Sequence, residues 1–279
     1  MPEGDTIFRT ARALGRALVG EPITGFRSML PLVTRFHHDT PLTGQQVTSV
    51  EARGKWLLMH FSGGATLVTH MLMSGSWHIY RPGERWQKPA HHMRIVIETA
   101  RFHAIAFLVP VAEMHTPESL ARNTRIPQPA LDLLDPAFDA DAAAARVAHR
   151  ADEEIADVLL HQHVMAGVGN EFKSEICFVC GLHPFTRVAA MSAEEIAQVV
   201  ATSQRLLQAN VMEDSGDTIV TFRGVQRRTT HASDPKESVW VYGRAGEPCR
   251  KCGSTIEQRK QGPDARITFW CPQCQPLTR

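Results

Sequence analysis

Cys249-Arg250-Lys251-Cys252, followed after 18 residues by Cys271-Pro272-Gln273-Cys274, decides how the C-terminal end of this chain folds. Each Cys-x-x-Cys knuckle offers two thiolates on a tight turn, and two knuckles close a tetrahedron around one zinc ion. The intervening segment is long enough for a two-stranded hairpin. All four ligand positions (Cys249, Cys252, Cys271 and Cys274) are then filled by protein, so the expected Zn2+, one per chain, is structural. A zinc hydrolase, which needs an open coordination position, is excluded by the same count. The metal is expected to hold a hairpin too small to bury a core of its own. Cys177-x-x-Cys180 has the same spacing but no second pair, and it lies beside Ile176, Phe178 and Val179 in a helical pattern. It reads as two core thiols, since free cysteine is among the most buried residue types. The histidines, including His91-His92 and His161-x-His163, form no metalloprotease-like pattern.

Working outward, 279 residues with 43% hydrophobic content suit about two compact domains with real cores. The formal net charge is +1, so no global field announces a polyanionic partner. The charge is uneven. Residues 221–279 carry 11 Lys+Arg against 5 Asp+Glu, whereas 131–160 are acidic. A basic module on a neutral body fits a nucleic-acid contact, and charge alone fits a solvated basic face equally. There is no signal-peptide pattern and no apolar run long enough to span a membrane. The expected location is therefore cytoplasmic, a reducing compartment in which disulfides are rare.

Ile7, Phe8, Ala11, Leu14 and Leu18 recur at helical spacing, Asp5 is placed to cap that helix, and Gly20 stops it. From Pro22 to Leu108 the texture is strand-like. The segments 23–27, 47–52, 56–61, 66–70, 76–80, 93–98 and 104–108 are short and alternating, with Gly63-Gly64 as a hairpin turn. Helices follow over 142–150, 153–163 and 171–180, and Ser192-Ala193-Glu194-Glu195 is a capping box that opens another. Arg223–Lys236 is polar and reads as a loop or linker. The fold class is α+β, with an N-terminal antiparallel β-sandwich over 1–130, a helical domain over 131–222, and a linker with a zinc hairpin over 223–279.

Removal of Met1 leaves Pro2 as a secondary amine, with the Glu3 carboxylate one residue away. An α-amino group titrates near pH 8, about two units below lysine. It is therefore partly neutral at physiological pH, and amines of this kind form Schiff bases with masked aldehydes. Taken alone, proline in second position is common and carries no function. Gly167-Val168-Gly169-Asn170 lies between two helices; it reads as a plain helix–helix turn or as a phosphate-binding helix start. Lys55 begins a strand, and Arg266 sits on the returning strand of the zinc hairpin. Lys55 reads as a solvated cation, and Arg266 as either a solvated cation or a phosphate contact. By pattern alone Met73 reads as a core residue of a strand.

Together these pieces resemble the formamidopyrimidine-DNA glycosylase/endonuclease VIII family, closest to its endonuclease VIII branch, from one end of the chain to the other. The resemblance is carried by Pro2-Glu3-Gly4, Arg53-Gly54-Lys55, the run His70 to Ser76, the run Gly167 to Glu175, Gly181-Leu182-His183-Pro184, Val241-Tyr242-Gly243-Arg244 and the zinc hairpin. It implies a sandwich flanked by helices, then a helix–two-turns–helix domain and a zinc finger. It implies a bifunctional glycosylase and abasic-site lyase of base-excision repair, acting on damaged DNA as a monomer and removing oxidised bases, expected to be pyrimidines. Pro2 would attack C1′ and Glu3 would act as general acid. Lys55 would serve β-elimination and Arg266 δ-elimination. Asn170 would hold the backbone phosphate beside the lesion. Leu72 and Met73 match the position that fills the gap left by the flipped base. The alternative is a catalytically inactive zinc-finger DNA-binding protein on the same fold. The chain departs from the family at Asp5-Thr6, which stand where members commonly read Pro-Glu. It departs again at Leu72-Met73-Ser74, where endonuclease VIII relatives often read Gln-Leu-Tyr.

Overall fold

The computed structural model describes residues 2–211, 229–230 and 237–277. These fall into two compact units, one ending at Ile126 and the other beginning at Pro127. Most of the Arg223–Lys236 stretch lies outside the described residues.

The first unit opens with α1 (Gly4–Leu18), whose inner stripe is Ile7, Ala11, Leu14 and Leu18, as the helical spacing predicts. Asp5 is not the cap. Glu3 occupies the N-cap, its carbonyl accepting the N–H groups of Thr6 and Ile7. Asp5 is fully buried in the first turn, where the Arg9 guanidinium reaches it at 3.2 Å. The helix starts two residues earlier than the Asp5 cap required, and its positive N-terminal end favours the enclosed carboxylate.

After α1 come β1 (Gly25–Ser28), α2 (Pro31–Asp39), β2 (Val47–Arg53), β3 (Trp56–Phe61), β4 (Thr66–His70), β5 (Ser76–Tyr80), β6 (Met93–Glu98), β7 (His103–Phe107) and β8 (Val111–His115). They form two four-stranded antiparallel sheets, ordered β1-β6-β7-β5 and β2-β3-β4-β8. Leu57, Met59, Phe61 and Leu67 of one sheet share a core with Trp77, Ile79, Ile95 and Ile97 of the other, and α1 closes it. The reverse faces are partly covered as well. Leu58 and Val68 pack with Ile126, and Tyr80, Val96 and Phe107 form a separate cluster. That double cover buries successive residues of β4 and β5, where the expected alternation is absent.

The seven expected strands are present, and two elements are additional. Helix α2 buries only Val33, so its sequence has no apolar stripe to detect. Strand β8 has every residue half-buried, so no alternation marks it. The sandwich is followed by the short helix α3 (Pro117–Ala121).

The second unit contains α4 (Ala140–Ala148), α5 (Ile155–Val158), α6 (Asn170–Val179), α7 (Ala193–Ala209) and the hairpin β9 (Glu257–Gln261)–β10 (Arg266–Trp270). The capping box at Ser192 and Glu195 forms as expected, with both reciprocal bonds. The long helix expected over 153–163 does not form. Ile155 and Ala156 donate their N–H groups to the carbonyls of Thr186 and Pro184 at its start, and Leu160 and His161 bond back only three residues, to Asp157 and Val158, so only four residues are α-helical. Cys177 is fully buried and Cys180 half-buried, both outside the metal-ligand cluster, as the core-thiol reading requires. Burial pushes both thiols up from their ordinary values.

One carboxylate joins α6 to the segment that leads into the hairpin. Glu175 is fully buried. Its Oε1 accepts the N–H groups of Val241 and Tyr242, each at 2.9 Å, and its Oε2 accepts that of Trp240 at 2.8 Å and the Thr229 hydroxyl. Replacement of Glu175 by Gln turns one acceptor oxygen into a donor facing other donors, and buried unpaired groups are costly. Glu175→Gln is expected to destabilise the protein by about 2 kcal/mol, read as a lower urea midpoint at unchanged slope.

Candidate nucleic-acid interface and metal centre

In the first unit, Pro2 is partly exposed and stands immediately before the buried Glu3 at the start of α1. Lys55 lies on the two-residue turn between β2 and β3, where Gly54 takes the positive φ (+57°) that closes it. In the register Trp56 pairs with His70, so Lys55 and the chain leaving β4 emerge at the same end of the sheet. The His70 imidazole titrates well below its ordinary value, at about 4, because burial disfavours its charged form and the Lys55 ammonium repels it. Residues 71–75 form a tight turn into β5, closed by the Gly75 N–H on the Met71 carbonyl at 2.8 Å. Met71 is the buried member of the turn, whereas Leu72 is 45% and Met73 68% exposed. The core-residue reading of Met73 is therefore excluded.

In the second unit, the Gly167–Asn170 segment is braced by Gln162. Its Oε1 accepts the Gly167 N–H at 3.1 Å, and its Nε2 donates to the Val168 carbonyl at 3.0 Å. Gly169 is the N-cap of α6 and Asn170 its first residue. The Asn170 Nδ2 donates to the Ile267 carbonyl at 3.0 Å, which brings Asn170 next to Arg266. Arg266 faces Asp264 at 3.6 Å, both with considerable exposure. The structure thus brings together two of the residues singled out from sequence, Asn170 and Arg266, across 96 positions of chain. Sequence reading assigned no role to the partners that place them. Ser174 accepts the Phe269 N–H at 3.4 Å. Gln261 reaches Glu154 at 2.8 Å and the Pro184 carbonyl at 3.0 Å. A polar side chain within an apolar helical run, as at Ser174 and Glu175, is the signal that marks such anchors.

The four predicted metal ligands converge. The sulfurs of Cys249, Cys252, Cys271 and Cys274 all lie within 4.8 Å of one another. Tetrahedral zinc with Zn–S bonds of about 2.3 Å separates its sulfurs by about 3.8 Å. Two of the pairs, 3.4 Å for Cys252–Cys271 and 3.9 Å for Cys249–Cys274, bracket that spacing. Backbone N–H groups of Lys251 and Cys274 point at the sulfurs of Cys249 and Cys271, each at 3.4 Å, which suits thiolate charge. The set fits a closed structural zinc site.

Comparison with known proteins gives matches along nearly the whole chain. Residues 1–109 match the formamidopyrimidine-DNA glycosylase N-terminal domain, 130–222 its H2TH domain, and 246–277 the zinc finger found in FPG and IleRS. Among curated proteins, the DNA-(apurinic or apyrimidinic site) lyase Nei2 of Mycolicibacterium smegmatis is 37% identical over 99% of both chains. A probable endonuclease 8 2 of Streptomyces coelicolor is 35% identical over 99% of this chain and 94% of its own. Endonuclease 8 of Escherichia coli is 33% identical over 99% of this chain and 100% of its own. Among solved structures, a complex between Lactococcus lactis Fpg and DNA containing an abasic site aligns with TM-score 0.79 and 20% identity, covering 98% of this chain and 99% of that one.

Metal analysis is expected to return one zinc per chain. A strong chelator, or Cys249→Ala, should lower the thermal midpoint of the second unit. A folded, metal-free protein with an unchanged midpoint would reject the structural-zinc assignment.

Proposed function

Since the chain belongs to the formamidopyrimidine-DNA glycosylase/endonuclease VIII family, we propose that Pro2, Glu3, Lys55, Asn170 and Arg266 are the residues with which it processes a lesion. The protein is a DNA glycosylase and abasic-site lyase of base-excision repair. Its partner is damaged DNA. None of its described helices is long and apolar enough to cross a membrane. Within the proposal it acts as a monomer on cytoplasmic, nucleoid DNA, and its substrates are oxidised bases, pyrimidines above all.

The observation that carries the assignment is the placement of Pro2 directly ahead of a buried carboxylate at the fixed start of α1. After removal of Met1, the Pro2 nitrogen attacks C1′ of the flipped nucleotide. Glu3 supplies the proton that opens the sugar ring and lets the base depart. The resulting iminium at C1′ acidifies the C2′ proton, whose loss expels the 3′ phosphate in β-elimination. A second elimination expels the 5′ phosphate and completes a β,δ product. Both leaving groups are phosphates, so cations beside them stabilise the charge that develops. Lys55 serves the first elimination and Arg266 the second, with Asn170 holding the adjacent phosphate. The Arg266–Asp264 pair does not oppose this, because an exposed ion pair at 3.6 Å is worth little and a phosphate displaces it readily. Leu72 and Met73 provide the apolar wedge that replaces the flipped base in the stack. Zinc supplies no chemistry here; it supports the hairpin that carries Arg266.

Borohydride should trap a covalent adduct between the protein and abasic DNA. Pro2→Gly or an N-terminal tag should abolish that adduct, and its persistence with a blocked N-terminus would remove Pro2 from the mechanism. Arg266→Ala should reduce incision about tenfold and lower the salt slope of DNA binding by about one. An incision panel over oxidised pyrimidines, oxidised purines and abasic sites should show pyrimidines preferred.

A further inference from the structure

We propose that Lys88 binds a backbone phosphate of the strand opposite the lesion, its ammonium fixed beside the 71–75 turn by Ser76. The inference rests on the reading of Leu72 and Met73 as the residues that fill the gap in the duplex, and of Lys55 as a contact to the damaged strand.

The 71–75 turn leaves β4 in one sheet and enters β5 in the other. Lys55 emerges beside the β4 end of that turn, as the Trp56–His70 pairing shows. Ser76 opens β5 at its other end, immediately after Gly75. Packed sheets lie about 10 Å apart, a spacing between the widths of the two grooves of B-DNA, about 6 and 12 Å. A cation on each sheet therefore reaches a different backbone of the duplex that the wedge enters.

Lys88 belongs to residues 81–92, which join β5 to β6 over the outer face of their sheet. β5 ends at Tyr80, opposite His103, whereas Ser76 and Met93 both pair with Phe107. The connection thus begins at the far end of the sheet and returns to the end that carries the wedge. Side chains hold it on that path. Trp86 packs edge-on against Phe107 with centroids 5.6 Å apart, and the Gln87 N–H donates to the Tyr80 hydroxyl at 3.0 Å. The half-buried Lys88 donates from Nζ to Ser76 Oγ at 2.9 Å. Behind it, the buried His78 ring bridges Ser76 Oγ at 3.1 Å and the Tyr80 hydroxyl at 3.0 Å. Burial, and then the Lys88 charge, lower the His78 titration to about 4, so that ring is neutral and adds no second charge.

The Lys88 ammonium has an acceptor that orders it and none that neutralises it. Nearby cations are paired with acids, Arg27 with Glu98 at 2.8 Å and Arg101 with Glu21 at 3.2 Å. Among the described residues no carboxylate stands within ion-pair distance of Lys88, and its partner is a neutral hydroxyl. Arg94, at the start of β6, likewise donates to the carbonyls of His91 and Met93, at 3.1 and 3.0 Å, rather than to an acid. Lys88 therefore keeps its remaining N–H groups and its whole charge for an anion from outside, and lysine binds phosphate as a point charge.

The experiment measures binding of a duplex carrying a tetrahydrofuran abasic-site analogue as a function of salt, and single-turnover cleavage of abasic DNA in double and single strands. It compares wild type with Lys88→Ala, Lys88→Gln and Lys88→Arg. Gln keeps an N–H donor for Ser76 and removes the charge. Ala and Gln are both expected to weaken duplex binding roughly fivefold at about 0.1 M salt and to lower the salt slope by about one, whereas Arg retains both. Cleavage in a single strand, which has no opposite backbone, should fall less than about twofold. Methylphosphonates placed singly along the opposite strand locate the contact. At one position the neutral linkage should weaken wild type as much as Lys88→Ala does and have no effect on Lys88→Ala. A purely structural lysine gives another pattern: Gln matches wild type, while Ala lowers the thermal midpoint and loses activity equally on both substrates. That pattern overturns the proposal, as does an unchanged salt slope in Ala and Gln, or a matching methylphosphonate in the damaged strand. Binding does not require catalysis. A wild-type protein that binds the duplex but forms no borohydride adduct would overturn the assignment of Pro2 and leave the Lys88 result standing.

Discussion

The second unit depends on one buried carboxylate. Among the described residues, Glu175 accepts three consecutive backbone N–H groups and one hydroxyl. Charge-assisted bonds of this kind are about twice as strong as neutral ones in a low-dielectric interior. Their geometric effect is larger still. Residues 240–242 are fixed to the helix whose first residue is Asn170, and Val241 and Tyr242 then pack with Ile256, Phe269 and Cys271 at the foot of the hairpin. The helix start proposed to bind phosphate and the hairpin with its four cysteines are thereby tied to one another.

The first unit meets its functional demand differently, by a closed turn. The proposed wedge, Leu72 and Met73, must stay apolar and exposed, yet an exposed apolar loop that is free to move folds back onto the nearest apolar surface. The 71–75 turn resists that collapse because the Gly75 N–H closes it on the Met71 carbonyl. Met71 anchors the turn in the core, so exposure of Leu72 and Met73 costs the sandwich little packing.

Much of this was legible in the sequence where local chemistry dictates spacing. The two Cys-x-x-Cys pairs, the Ser192–Glu195 capping box and the alternating strands carry their own geometry, and all form. What escaped was set by distant partners. Strand β8 and helix α2 bury too little to leave a periodic trace. The 153–163 segment has a helical pattern, but residues 184–186 claim its N–H groups. Asp5 has the right residue type for a cap and is overridden because the helix starts ahead of it. Within the candidate site, Pro2, Lys55 and Arg266 were visible as types in suggestive places. The role of Glu175 needed a partner 65 residues away.

The hairpin shows why a metal with no part in the chemistry is still required. Four of the five β9 residues are exposed, and an isolated two-stranded ribbon is marginal in water. Hydrophobic burial holds only one of its strands, because β10 alone contributes buried apolar side chains, Phe269 and Trp270. Placement of Arg266 therefore rests on point contacts: the zinc thiolates at the base, Asn170 on Ile267, Ser174 on Phe269, and Gln261 bridging to Glu154. Arg259 adds its guanidinium over the Phe185 ring at 3.7 Å. Each contact is weak alone, and each removes a different freedom of the ribbon. A guanidinium must sit within hydrogen-bond distance of a departing phosphate to stabilise it. On an exposed strand, that precision comes only from fixing the backbone at several points at once, and the zinc site fixes both ends of the ribbon together.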